Sequence, residues 1–137
     1  MSDMLVGDEV ETREAGIVRG VSVGVVTQNK DPEGLGRVKV KFPWRENSDE
    51  SYWARIAVPM AGGGRGTWFL PEVGDEVLVG FDAQRVEHPY VLGCLWNGKD
   101  KPPHDNADGR NDLRVIRSRS GHEIVFELGW VVDGLST

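Results

Sequence analysis

From residue 17 onward the chain alternates. In "GIVRGVSVGVVTQNKD" Val21, Val23 and Val25 recur at every second position, with Gly20 and Gly24 between them. A period of two is the mark of a β-strand, and glycines inside such a run mark bends or close backbone approaches. The spacing predicts a long, bent first strand. "RVKVKFPW" predicts the second. Arg37, Lys39 and Lys41 fall on one face, Val38, Val40 and Phe42 on the other, and Pro43 ends the pairing. "YWARIAVP" predicts a third, with Trp53, Arg55 and Ala57 opposite Tyr52, Ala54, Ile56 and Val58. "TWFLPEVGDEVLVGF" gives a short aromatic segment, a turn over residues 71–75, and a fourth strand through Val77, Val79 and Phe81. "PYVLGCLWN" is a fifth, apolar on both faces and therefore central or covered. The connections are rich in turn residues, and "MAGGGRG" reads as a flexible loop.

No helical period runs long between these glycines and prolines, so the fold class is all-β. Five strands with a glycine-bent first strand predict a five-stranded Greek-key barrel of the OB type over residues 16–97. Residues 1–15 form an acidic arm ahead of it. Residues 98–112, "GKDKPPHDNADGRND", read as a linker. Residues 113–137 form a short C-terminal β segment, with two strands around Ser120, Gly121 and His122. In the second of these, Ile124, Phe126 and Leu128 share one face, and Glu123, Val125 and Glu127 the other. Two strands alone are marginal in water and their edges invite pairing. Further copies of the same chain would supply the missing partners.

Charge narrows the function. The 137 residues carry a net charge of -6. Residues 1–16 hold five acids and one base, whereas residues 17–96 hold ten acids and nine bases. A barrel so close to neutral lacks the phosphate-neutralising excess that nucleic-acid binding requires. The alternating cations of "RVKVKF", with aromatics able to stack bases, keep a nucleic-acid-binding OB module as the alternative. No basic n-region precedes a long apolar run, and no stretch reaches the roughly 18 apolar residues of a membrane span. The chain is therefore expected to be made in the cytoplasm without a signal peptide or stable membrane anchor.

The chemistry sought is mostly missing. The single cysteine, Cys94, sits in an apolar run and reads as a small buried hydrophobe. His88, His104 and His122 lie in separate turns without metal-ligand spacing. "AGGGRGT" lacks the lysine a phosphate loop needs, and no nucleophile elbow occurs. Glu72, Asp75 and Glu76 bracket a turn and read as caps or as partners for the cations of the second strand. No catalytic residue, cofactor or metal is expected. Trp44, Trp53, Trp68 and Phe69 lie at strand ends or beside loops, where they serve either the core or a protein interface.

Taken together, "NKDPEGLGRVKVKFPW", "SYWARIAVPMAGGGRGTWFLPEVGDEVLVGF", "HPYVLGCLWNGKDKPP" and "IRSRSGHEIVFE" resemble the gp5-type OB domain of contractile-tail spikes. That family includes the Vgr proteins of type VI secretion and phage baseplate assembly protein V. The resemblance implies one third of a homotrimeric spike at the end of a tail tube, beneath a separate trimeric hub, which helps puncture a target envelope. It also implies that the tail begins a trimeric β-helix needle. Ile116, Ile124, Phe126 and Leu128 would line its axis, and Trp44, Trp53, Trp68 and Phe69 would contact neighbouring subunits or the hub. Where relatives continue with repeated needle strands, this sequence has "LGWVVDGLST". The needle is thus expected to be very short, with Trp130 and Val131 capping it or docking a tip protein. The assembled particle would be a phage tail, a type VI system or a related injection machine.

Overall fold

The computed structural model describes residues 17–45 and 50–129, with the backbone of two further short strands. The expected acidic arm and Trp130 lie outside the described residues, and Val131 is described only as backbone. The chain divides into two compact units, Met1–Asn97 and Gly98–Thr137.

The first unit is a curled sheet of five strands. These are β1 (Ser22–Gln28), β2 (Lys39–Lys41), β3 (Arg55–Ile56), β6 (Glu76–Phe81) and β7 (Pro89–Leu95). Between β3 and β6 lies a small hairpin of β4 (Ala61–Gly62) and β5 (Arg65–Gly66). The sheet order is β2-β1-β6-β7-β3, antiparallel except for the parallel pair β3–β7. Its two ends meet. Val38 and Ala54 exchange backbone hydrogen bonds of 3.1 and 2.7 Å, which join β2 to β3. A sheet closed this way leaves no long edge for aggregation. This is the OB topology the strand pattern predicts.

The inside is lined by alternate residues of every strand. Val26, Val38, Val40, Phe42, Ala54, Val77, Val79 and Val91 form the core, with Ile56, Leu70 and Phe81 packed against it. The alternation of β2 therefore reads as predicted, apolar side in and cationic side out. β1 alternates too, but its inward residues are Ser22, Gly24 and Val26, while Val21, Val23 and Val25 face solvent. The reason is steric: a Cβ on Gly24 would lie 2.2 Å from Val40 Cγ1. The side chain of Val40 fills the space Gly24 leaves, and the two strands approach closely there. Buried Ser22 accepts a 2.6 Å hydrogen bond from Trp44 Nε1. Buried Ser51 accepts from the Val40 amide at 3.0 Å and donates to the Tyr52 carbonyl at 2.7 Å. Both polar side chains are thus satisfied, as buried groups must be.

Two expectations need correcting. The segment read as a flexible glycine loop is the β4–β5 hairpin, turned through Gly63 and Gly64. Gly64, the second residue of the turn, takes a positive φ that glycine supplies without steric cost. At Gly66 a Cβ would meet the Met60 carbonyl at 2.4 Å, so glycine is needed for the tight hairpin. Cys94, expected to be buried, is exposed. Beyond the irregularity at Leu78–Val79, β7 runs past the close-packed part of the barrel, and its last residues lose cover. The turn before β6 is built as expected. Asp75 Oδ2 accepts the Glu72 amide at 2.9 Å, and the Asp75 amide returns a 3.0 Å bond to the Glu72 carbonyl.

The connection from β1 to β2 is tied by one carboxylate. Asp31 accepts hydrogen bonds from the Glu33 and Leu35 amides at 2.9 and 3.2 Å. It also takes a bidentate pair from Arg37, Nε at 2.7 Å and Nη2 at 2.9 Å. The Arg37 guanidinium, first, and these amides hold the Asp31 carboxyl well below the usual carboxylate range.

In the second unit, β8 (Leu113–Arg117) and β9 (Glu123–Glu127) form an antiparallel hairpin, and β10 (Val131–Val132) pairs with β11 (Leu135–Ser136). Residues 98–112 hold no strand. Asp105 and Asp108 accept amides two residues on, and Asn106 and Asn111 take left-handed backbone angles that asparagine tolerates.

Two outcomes follow for stability. Gly24→Ala overpacks the β1–β2 contact and is expected to cost about 1–3 kcal/mol. Gly63→Ala, where a Cβ meets nothing within 4 Å, stays within about 0.5 kcal/mol of the parent; urea midpoints compare the two. Asp31→Asn destabilises the protein at neutral pH. Because the folded carboxyl is more acidic than the unfolded one, its contribution is complete above the unfolded value of about 3.9. It is lost as pH falls toward the folded value, so the urea-midpoint gap between parent and variant narrows below about pH 4.

Candidate functional site

The outer face of β2 decides what the cations can bind. Its pleat turns Lys39 outward, and Asp31 fixes Arg37 beside it. Both sit over Trp53, the Lys39 ammonium 5.3 Å and the Arg37 guanidinium 5.7 Å from its ring centroid. Arg37 also reaches Glu33 at 2.6 Å. Its acidic partners are Asp31 and Glu33 of the preceding turn rather than Glu72, Asp75 or Glu76. The sequence signal was local: "DPEGLGR" is an aspartate and turn residues leading back to an arginine. Lys41 is exposed, and its backbone bridges Glu50, whose carboxylate accepts from Thr27 and, at 2.8 Å, from Gln28. Trp44 stacks on Phe42 with centroids 4.9 Å apart. Base stacking needs open ring faces, and Trp44 already spends one on Phe42 and Trp53 one on the Arg37 and Lys39 cations.

Trp68 and Phe69 differ. They are 70% and 66% exposed at the barrel rim. The Trp68 ring lies over Gly36, where a Cβ would come within 2.8 Å of it, so glycine is needed beneath the indole. Between this ring, Leu35, Ile56, Met60 and the β4–β5 hairpin runs a groove of about 630 Å³. A second of about 630 Å³ adjoins it at Leu35 and Arg55 and extends to Trp53, Glu87 and Tyr90. The Arg55 guanidinium sits 5.7 Å from the Tyr90 ring centroid. The amide hydrogen bond Glu87 makes within its own residue, then its contact with Arg85, hold its carboxyl below the usual range. The sequence singled out the aromatics here but missed Leu35, Arg55 and Met60 as their neighbours, because a groove between loops distant in sequence leaves no periodic trace.

The described residues of this arrangement offer apolar cover beside the Arg55 and Arg65 guanidinium groups. Among the described residues no three His, Cys, Asp or Glu side chains come together as metal ligands. Ser120 Oγ lies 2.9 Å from His122 Nδ1, with Ser118 Oγ 3.1 Å from Ser120. All three are exposed in one turn, without the third orienting group and oxyanion donors that would activate a serine. Partial desolvation of the Cys94 thiol, together with the Asp75 charge, raises its pKa, so its reactive thiolate is disfavoured.

The tail hairpin carries the remaining candidates. Its register places Ile116 directly opposite Ile124 and Phe126 opposite Arg114. The three apolar side chains share a face and are 51%, 58% and 65% exposed. Leu128, just past β9, is also exposed. The opposite face carries Val115 and Val125 as a facing pair, flanked by the ion pair Arg117–Glu123 at 3.2 Å.

Comparison with known proteins converges on this architecture. The chain is 35% identical over 111 residues to the type VI secretion system spike protein VgrG4b of Pseudomonas aeruginosa, covering 66% of this chain. It is 31% identical over 134 residues to VgrG5 of the same organism, covering 83%. To VgrG3 of Vibrio cholerae it is 34% identical over 92 residues, covering 64%. The matches span only 14%, 17% and 9% of these longer relatives. The family described as the type VI secretion system/phage-baseplate injector OB domain matches residues 22–96, from the first residue of β1 to the residue after β7. The barrel, its strand order and these matches agree, and the chain belongs to that injector OB-domain family.

Proposed function

We propose that the chain is a non-enzymatic subunit of a homotrimeric central spike in a contractile injection machine, and that it helps drive the tube through a target envelope. The observation that carries this is the β8–β9 hairpin. Ile116, Ile124 and Phe126 on one face and Val125 on the other stay exposed in a single chain. A two-stranded hairpin with water on both faces is marginal. Three copies wound about an axis would bury the Ile116–Ile124–Phe126 face and pair the open edges, as the first turn of a needle. On this reading residues 16–97 are the barrel, 98–112 the linker and 113–137 the needle start. Leu128 extends the axial face, Trp68 and Phe69 meet neighbouring subunits or a separate hub, and Trp130 and Val131 cap the trimer or meet a tip protein. Trp44, stacked on Phe42, and Trp53, under Arg37 and Lys39, are the further candidate contacts to neighbouring subunits or the hub. The spike names of the relatives support the same role.

Light scattering coupled to size exclusion is expected to give three times the 15.1 kDa chain mass. A stable monomer at micromolar concentration would reject the trimer. Phe126→Asp places three carboxylates at the axis, where unpaired burial costs several kcal/mol each, and is expected to yield monomers. If that variant stays trimeric with unchanged melting, the axial assignment is wrong. Should labelled single-stranded oligonucleotide bind with steep salt dependence, the nucleic-acid reading would replace this one.

A further inference from the structure

We propose that Asn97–Gly98 is a self-modifying site, at which Asn97 gives up its side-chain amide and becomes aspartate or isoaspartate, and that the Glu76 carboxylate restrains the reaction. Asparagine followed by glycine occurs once in the chain. Water is the only co-reactant. The Gly98 nitrogen attacks Asn97 Cγ and forms a new C–N bond. The bond from Cγ to the side-chain nitrogen breaks, and that nitrogen leaves as ammonia with the proton Gly98 has lost. Water then opens the succinimide at either carbonyl. One opening gives aspartate; the other gives isoaspartate, whose main chain runs through Cβ and Cγ. Ring closure requires the nitrogen to come within reach of Cγ, and a side chain on the following residue obstructs that approach. At Gly98 even a Cβ would meet nothing beyond its chain neighbours within 4 Å, and the residue is exposed. The fold therefore leaves room for the ring to close and for water to open it.

The restraint comes from the sheet. Asn97 lies two residues beyond β7, and its Nδ2 donates to Glu76 Oε2 at 2.5 Å. Glu76 is paired with Val25 of β1 on one side and Leu95 of β7 on the other, so its position is fixed. Its charge opposes both halves of the reaction. Negative charge builds on Asn97 Oδ1 as the nitrogen attacks, and a carboxylate close by raises that barrier. The leaving nitrogen needs a proton, which an ionised carboxylate does not have to give. After reaction, the new acid stands where the amide donated. Two carboxylates then face each other beside the Glu76–Leu95 rung, and like charges so placed repel. The contact that holds the exit of β7 against β6 is lost, and in isoaspartate the main chain is also longer at that point. None of this rests on the spike reading.

The test incubates the full chain at neutral pH and follows amide-to-acid conversion by peptide mapping and mass spectrometry. Isoaspartate is read by methyl transfer from S-adenosylmethionine with a purified isoaspartyl methyltransferase. Asn97 is expected to convert ahead of Asn29, Asn106 and Asn111. Gly98→Ala is expected to keep the parent urea midpoint and slow conversion by about tenfold or more. Glu76→Gln, which keeps an acceptor for Nδ2 and removes the charge, is expected to speed it severalfold. Converted chains, and Asn97→Asp as their aspartyl counterpart, are expected to unfold at lower urea, and adding Glu76→Gln to Asn97→Asp should restore the midpoint. Conversion at Asn97 no faster than at the other asparagines, or indifferent to Gly98→Ala, overturns the site. A rate unchanged or lowered in Glu76→Gln overturns the restraint, and an unchanged midpoint in Asn97→Asp overturns the loosening.

Discussion

The barrel hinges on one close approach, Val40 against the backbone of Gly24. β1 is the strand that β2 and β6 both pair with, and β6 in turn carries β7. Where β1 lies against β2 therefore sets the curl of the whole sheet. Without a side chain at position 24, Val40 reaches across β1 and the two strands cross closely enough for the sheet to bend back on itself. That bend brings Val38 to Ala54 and closes the barrel. Closure in turn puts residues 34–37 beside β3 and the β4–β5 hairpin, and so forms the grooves at the rim. A side chain at one inward position thus bears on packing, topology and the exposed surface together.

How legible each part was follows from whether its cause is local. "RVKVKF" could be read to the residue, because its inward and outward positions differ in chemistry and Val38, Val40 and Phe42 are all in the core. β1 could be read as a strand but not for its faces. Its inner side is serine, glycine and one valine, so the apolar trio Val21, Val23 and Val25 points the wrong way for a simple burial rule. The β4–β5 hairpin was hidden because glycine signals both flexibility and tight geometry, and only the Met60–Gly66 approach separates them. Cys94 was misread because an apolar run was taken as cover, whereas cover depends on where β7 leaves the packed part of the sheet. In the tail, alternation gave the strands and the Ile124–Phe126 face. The pairing of Ile116 with Ile124 required the turn to fix the register.

The two units meet the cost of ordering a chain differently. The barrel's core cluster buries eight side chains almost completely, and among the described residues no enclosed polar side-chain atom lacks a partner, so its order rests on its own core. The hairpin has a full ladder of pairs and no buried residue on β9. Hydrogen bonds exchanged with water contribute little net stability, and without apolar burial they do not offset the conformational entropy of five paired rungs. An apolar strand pair of this kind gains stability in proportion to the surface another chain covers. On the proposed trimeric reading, association would supply the order that the hairpin lacks by itself, and needle formation would be tied to assembly rather than to the folding of a single chain.

The disposition of cations argues against a generic polyanion surface. A strand of nucleic acid presents evenly spaced phosphates, and a protein that tracks it needs a continuous row of free cations. Here Arg37 is closed by Asp31 and Glu33, and Lys39 lies over Trp53. Arg55 and Arg65 are set among apolar and aromatic side chains. Two guanidinium groups separated among apolar side chains do not form the row of cations that evenly spaced phosphates would track.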